Sequence, residues 1–206
     1  MTIKPNTVII GLAATACAAA MALAASAQAP TASPVPGPTS GPTYTADGKM
    51  NFPADYREWI YLSSGLDMTY GPAMAPPGQH RFDNVFVDPV AYRAFKATGS
   101  WPDKTVMVLE VRKTESKGSV NTAGQYQADV VATEVHVKDK ARFKSGWGFF
   151  PFNSTAPARV LPETVACYSC HQDHGSVDTT FVQFYPTLRP IAQKAGTYRE
   201  DPPAKP

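Results

Sequence analysis

The chain reads as an α+β domain, mainly an antiparallel β-sheet with a few short helices, and three observations carry that reading. Two long stretches, Lys104–Lys113 and Tyr126–Val137, are dense in β-branched residues and are joined through the polar turn Ser116-Lys117-Gly118-Ser119. A shorter aromatic run, Trp147–Phe152, lies beside Gly146 and contains Gly148. The helix signals, by contrast, are brief, and no internal repeat is visible.

In chain order, Asp55–Ser63 places Tyr56, Trp59, Ile60 and Ser63 at helical spacing behind a capping Asp55, which predicts a short amphipathic helix. Ser64–Gly78 is rich in Gly, Pro and Met and predicts a loop, whereas His80–Val87 predicts a strand ending at Asp88-Pro89. That dipeptide is a helix start, with Asp as N-cap and Pro in the first turn. The helix is expected to run through Ala91, Tyr92, Ala94 and Phe95 and to stop at Gly99. The Lys104–Lys113 segment is apolar on both faces until its end, as a strand covered on both sides is. Tyr126–Val137 alternates towards its end as Glu134-Val135-His136-Val137, which puts His136 on an exposed face with Glu134 and Lys138. Glu163–His171 predicts a turn or two of helix, Thr180–Tyr185 a last strand, and Leu188–Lys194 a short final helix.

The N-terminal stretch has the pattern of an export signal. Lys4 is its only charge, Thr7 to Ala27 is almost continuously apolar, and Ala25-Ser26-Ala27 offers the small residues a signal peptidase requires, so cleavage is expected after Ala27. An uncleaved anchor is the rival reading, and acylation at Cys17 a lesser one, since Ala14-Thr15-Ala16 is a poor site for it. Residues 28–46 are Pro, Thr, Ser, Gly and Ala with no charge, a composition that cannot offset its own ordering entropy and predicts a tether. A single folded domain is expected over 47–199, with a Pro-rich tail at 200–206. Beyond the signal, 18 Lys and Arg (19 less Lys4) face 17 Asp and Glu. That near-balance gives no basic stripe for nucleic acid.

Only two cysteines remain after the signal, three positions apart, too close to staple an exported domain. Cys167-Tyr168-Ser169-Cys170-His171 is the Cys-x-x-Cys-His pattern of covalent haem attachment. Two thiols three apart lie on one side of a helical turn and can add to the two vinyl groups of one porphyrin; the next residue brings an imidazole to the iron. One haem c is therefore expected, bound through Cys167 and Cys170 with His171 as the axial ligand. Two other uses of such cysteines exist. A zinc knuckle would draw on Cys167, Cys170 and His171 or His174, but the remaining histidines, His80 and His136, are far away in sequence. A redox Cys-x-x-Cys needs a preceding strand and a long following helix, which are missing. The late position of the motif, and the absence of any Met after Cys167, set the chain apart from small all-helical cytochromes; its strand content sets it apart from a four-helix bundle.

These features, taken with further segments, resemble the cytochrome P460 family, which includes the β-sheet cytochromes c′. The resemblance rests on Phe82-Asp83-Asn84-Val85-Phe86-Val87, the Ala91-Tyr92 helix and Thr98-Gly99-Ser100-Trp101-Pro102-Asp103 before the long strand. It continues through Gly146-Trp147-Gly148-Phe149, the haem motif, and Phe181-Val182-Gln183-Phe184-Tyr185-Pro186-Thr187-Leu188. It implies one high-spin haem over an antiparallel sheet, His171 as proximal ligand, an open distal side, and a homodimer. Some members oxidise hydroxylamine and carry a lysine cross-linked to the porphyrin. Others lack the cross-link, wall the distal face with phenylalanines and bind nitric oxide or similar gases.

The expected function is thus a periplasmic mono-haem cytochrome that binds a small gaseous or nitrogenous ligand or passes electrons, with another cytochrome as redox partner. The alternative is a hydroxylamine-oxidising enzyme with the cross-link. Candidates for the distal lining are Phe82 and Phe86, which share a strand face, and Met107 and Leu109; plain core packing is the competing role for all four. Leu109 stands near the cross-link position implied by the resemblance, which leaves Lys104 and Lys113 as the lysines available to it. Glu110 is the candidate proton acceptor, or simply the residue where the strand turns to solvent. Arg81, Arg142 and Arg159 are candidate propionate partners.

Overall fold

The computed structural model describes residues 41–68 and 78–200. The expected signal at 1–27, the tether up to residue 40, most of the Gly/Pro/Met loop and the tail from 201 lie outside the described residues. Five strands, β1 (Ile60–Leu66), β2 (Arg81–Val87), β3 (Val106–Glu115), β4 (Tyr126–Lys138) and β5 (Trp147–Phe152), pair in sequence order as one antiparallel meander. Three helices accompany it: α1 (Pro89–Thr98), α2 (Ala166–His174) and α3 (Arg189–Ala195). The α+β fold with a mainly antiparallel sheet is therefore as the composition predicts.

One residue explains how β2, α1 and β3 are joined. Asp88, 1% exposed, caps α1 by accepting hydrogen bonds from the backbone of Val90 (3.1 Å) and Ala91 (2.8 Å) through Oδ1. Its Oδ2 accepts from Val106 N at 3.0 Å, so the same carboxylate also secures the start of β3. Gly99 closes the helix in the left-handed conformation (φ 73°) and donates its N–H to Phe95 O at 2.7 Å.

Each face of the sheet has its own apolar cluster. One contains Val87, Met107 and Trp147 with α1 and α3 packed over them; the other contains Val106, Val108, Val135 and Phe150 with Met50, Tyr56 and Trp59. The registers define the two faces. Val87, Met107, His136 and Phe149 form one cross-strand row, and Phe86, Val108, Val135 and Phe150 form the row on the opposite face.

Three local expectations are corrected. The predicted helix at 55–63 is a 3-10 turn, Tyr56–Glu58, followed directly by β1. Pairing with β2 outweighs the helical spacing, and a bulge between Tyr61 and Ser63 accompanies the burial of Leu62 to 3% exposure. The predicted strand at 180–185 is instead a 3-10 turn, Val182–Phe184, because Thr180 closes back on Ser176 and Val177, leaving no run to pair with the sheet. Order also begins before residue 47: Tyr44 bridges to Met50, packs against Phe150 at 6.3 Å and lies under the Arg142 guanidinium at 3.8 Å.

Candidate functional site

Between the Met107–His136–Phe149 face of the sheet and the segment from Ala166 to Tyr185 lies a mostly apolar cleft of about 330 Å³. Its floor is Val85, Met107, Leu109, Glu134, His136 and Phe149; Cys167, Cys170, His171, Phe181 and Tyr185 close the other side. The cleft forms because the inward residues of β2 to β4 are apolar at this level while α2 crosses over them. Tyr168 fastens α2 to the sheet: its hydroxyl donates to Leu161 O (3.0 Å) and its ring meets Phe149 edge-on at 4.7 Å.

The helical turn puts both thiols on the cleft, and both cysteines are free. Burial, then the neighbouring Cys167 and Asp173, pushes the Cys170 thiol above its ordinary value. His171 Nδ1 lies 2.8 Å from Thr179 O, and since a carbonyl can only accept, Nδ1 carries the proton and Nε2 keeps its lone pair. Burial lowers its proton affinity, keeping the ring neutral, as a metal-ligating imidazole must be. Phe181 (4.3 Å) and Phe149 (4.7 Å) flank the ring.

The Thr179 carbonyl is delivered by an uncommon turn. Asp178 (φ 49°) and Thr179 (φ 63°) are consecutive non-glycine residues in the left-handed region, each at a cost of about 1–2 kcal/mol. Gly175 permits the approach: a Cβ there would lie 2.5 Å from the Thr179 carbonyl carbon and 2.6 Å from His171 O. Arg199 caps the end of α2 through the carbonyls of Gln172 (2.8 Å), Asp173 (2.9 Å) and Gly175 (2.7 Å).

His136 is the main departure from the sequence reading. It is buried, 9% exposed, not on a solvent face, because α2 and the segment after it cover the C-terminal half of β4. Its ring stacks on Phe149 at 4.0 Å and meets His171 edge-on at 4.8 Å. Its Nε2 has no hydrogen-bond partner among the described residues, and burial, then His171, holds its proton affinity well below the ordinary value. Lys138, two residues on, is equally buried.

Glu134, whose signal in the sequence was only its alternation with His136, borders the cleft. It stands opposite Leu109, and Asp83 stands opposite Val111, so the two carboxylates flank β3 on the cleft face. Neither makes a hydrogen bond or ion pair among the described residues. Burial, then the Glu134 charge, pushes the Asp83 carboxyl up to about 6, and burial also raises Glu134.

Of the other candidates, Met107 and Leu109 line the cleft. Phe82 and Phe86 do not: Phe82 stands opposite Arg112 and Phe86 opposite Val108, which places both on the far face, where Phe86 packs on Tyr56. Glu110 is also on that face, 2% exposed, accepting from Tyr56, Arg112, Arg57 (2.7 Å) and Asn84 (3.4 Å). Burial alone would raise its carboxyl, but the hydrogen bonds from Arg112, Tyr56 and Arg57 prevail and bring it to about 2. A group so held is a poor proton acceptor for anything in the cleft. Lys104, ahead of β3, pairs with Asp139 at 2.5 Å, and Lys113 is exposed towards its other end; neither borders the cleft. Arg142 lies on Tyr44 and Arg159 near Asp47, away from the cleft, and Arg81 opens β2.

Two thiols and an imidazole with a free Nε2 around one apolar cleft fit a haem attached by thioethers. Among the described residues no group of three or more His, Cys, Asp or Glu is arranged to hold a metal ion by itself, so a zinc knuckle is not assembled there. A comparison with curated proteins finds no match. The family model described as cytochrome P460 matches residues 53–182, more than half of the 206-residue chain, from the turn before β1 through the haem motif to Val182. The chain therefore belongs to the cytochrome P460 family and is a haem-binding cytochrome.

Proposed function

We propose that the chain is an exported, mono-haem c-type cytochrome with a five-coordinate iron that binds nitric oxide or a similar small ligand, or passes single electrons to a partner cytochrome. The observation that carries the proposal is the convergence of Cys167, Cys170 and His171 on one cleft, with His171 Nδ1 already engaged by Thr179 O. Cys167 and Cys170 would hold the porphyrin and His171 Nε2 its iron. A haem held there supplies an iron with one axial position left for a ligand or for electron exchange.

The residues of the chain define what reaches that position. His136 meets His171 edge-on at 4.8 Å, which supports His136 as a neighbour of the ring that would hold the iron. Val85, Met107 and Leu109 offer no polar atom, which favours a small uncharged ligand over an ion that would lose its hydration.

A second reading, oxidation of hydroxylamine or a similar nitrogen compound with release of electrons to a cytochrome, is favoured by Glu134. A carboxylate at the cleft with raised proton affinity is suited to accept a proton from an N–H or O–H group. The placement of Lys104 and Lys113 does not support the cross-linked form of that reading.

The test is the intact mass and ferrous optical spectrum of the purified protein, followed by nitric oxide titration. One haem on two thioethers, an ordinary Soret band and saturable binding are expected. A strongly red-shifted Soret band with a haem–lysine peptide would overturn the first reading for the second. Zinc without haem would overturn both.

A further inference from the structure

The carbonyl that fixes His171 sits in a turn that ordinary residues resist. Asp178 and Thr179 both have positive φ, and Thr179 is β-branched, which opposes this shape at the residue whose carbonyl is used. Something outside the turn must hold it.

Lys138 meets that need. Although it is at the end of β4, its side chain is 6% exposed, and its ammonium donates to Asp178 Oδ2 at 2.7 Å and to Trp101 O at 2.7 Å. Trp101 then grips the other side of the turn: its indole N–H donates to Thr180 Oγ1 at 2.8 Å, and that hydroxyl donates to Val177 O at 2.6 Å. Trp101 is itself fixed, 2% exposed and packed on Phe95 at 4.2 Å. The turn is thus bracketed on both sides from one rigid point, by its backbone oxygen through Lys138 and by its indole directly. A buried ammonium is kept only where its partners are good, and one of these partners belongs to the residue next to Thr179.

We propose that Lys138 is a positioning residue for the axial histidine: through Asp178 it holds the left-handed turn whose Thr179 carbonyl accepts the His171 Nδ1 proton. The inference rests on the reading of His171 as the iron ligand. A carbonyl held against Nδ1–H makes an imidazole a stronger donor through Nε2, and such outer partners tune ligand strength and potential. Loosening the turn weakens that hydrogen bond and so weakens the donor.

The test uses the haem-bearing protein and two readouts that a merely structural residue would leave in place, the ferrous iron–histidine stretching band in resonance Raman spectra and the reduction potential. Lys138→Met removes the ammonium and keeps much of its length. Asp178→Asn removes the ion pair while Asn tolerates the left-handed backbone, so it decides the matter if Lys138→Met does not fold. The expected result is a lower stretching frequency and a more positive potential in both, larger in Lys138→Met, with Tyr56→Phe on the far face unchanged in both readouts. Haem-bearing variants with the wild-type band and potential would overturn the proposal while leaving the haem assignment intact. Wild-type protein without haem would overturn the assignment itself, and the proposal with it.

Discussion

Two sets of acidic groups, one on each face of the sheet, are handled in opposite ways. On the far face, Glu110 is enclosed with Tyr56, Arg57, Arg112 and Asn84, and its carboxylate is fully engaged. On the cleft face, Glu134 of β4 and Asp83 of β2 are desolvated with no hydrogen bond or ion pair among the described residues, and His136 keeps a buried nitrogen with no partner among them. A polar group satisfied within the chain stabilises the fold; one left unsatisfied lowers stability and is retained where something else is to be bound. The carboxylates on the two faces of one sheet are therefore held in different ways.

The largest effect is expected from Glu110→Ala, which leaves Arg112 and Tyr56 facing a buried gap. Urea denaturation at pH 7 should show a loss of about 3 kcal/mol with an unchanged ferrous spectrum. A spectral change would place Glu110 in the haem site and erase the contrast between the faces. Tyr56→Phe, which deletes one charge-assisted donor to the same carboxylate, should cost about 2 kcal/mol in the same measurement.

The faces should also titrate with opposite signs. Glu110 is held at about 2 in the fold, below its ordinary 4.5, so its contribution is complete above pH 4.5 and is lost as pH falls towards 2. Asp83 is raised from 3.8 to about 6, so between those values the folded state holds more protons than the unfolded one, and stability falls as pH rises. Asp83→Asn should therefore gain roughly 1 kcal/mol at pH 7, after allowance for its partial exposure, and almost nothing at pH 3.5. Equal gains at both pH values would mean that the carboxyl is not perturbed. The smallest effect belongs to Lys113→Ala, exposed and away from the cleft: a change below about 0.5 kcal/mol, with the mass of the haem peptide unaltered. A lighter haem peptide in that variant would restore the cross-linked reading.

Much of this contrast could not be read from the chain. The helix capped by Asp88, the β3 and β4 strands and the short helix that carries the cysteines have strong local signals, and all four elements form. Which face of a strand meets the cleft is not a local property. Side chains alternate with period two, so a choice displaced by one residue exchanges the faces. Phe82 and Phe86 were natural aromatic candidates for a distal wall, yet the register sets Phe86 beside Val108 and leaves Val85 beside Leu109. Phe82 and Phe86 of β2 therefore cannot share a face with Met107 and Leu109 of β3. His136 was hidden for another reason: what buries it is α2 and the segment that follows, thirty and more residues later in the chain. β1 was obscured because its polar Ser63 and Ser64 give little strand signal, and pairing with β2 supplies what its composition lacks.

The sequential order of the meander has a consequence in time. Every strand pairs with its neighbour in sequence, so the sheet is built from segments adjacent in the chain, and contacts of lower sequence separation form faster than distant ones. The floor of the cleft is complete once Phe152 is in place, whereas the cysteines and the turn at Asp178 come afterwards. The chain thus separates building the surface from loading it. The sheet is the mould, and the segment that closes the cleft, with its two thiols, follows it in the chain.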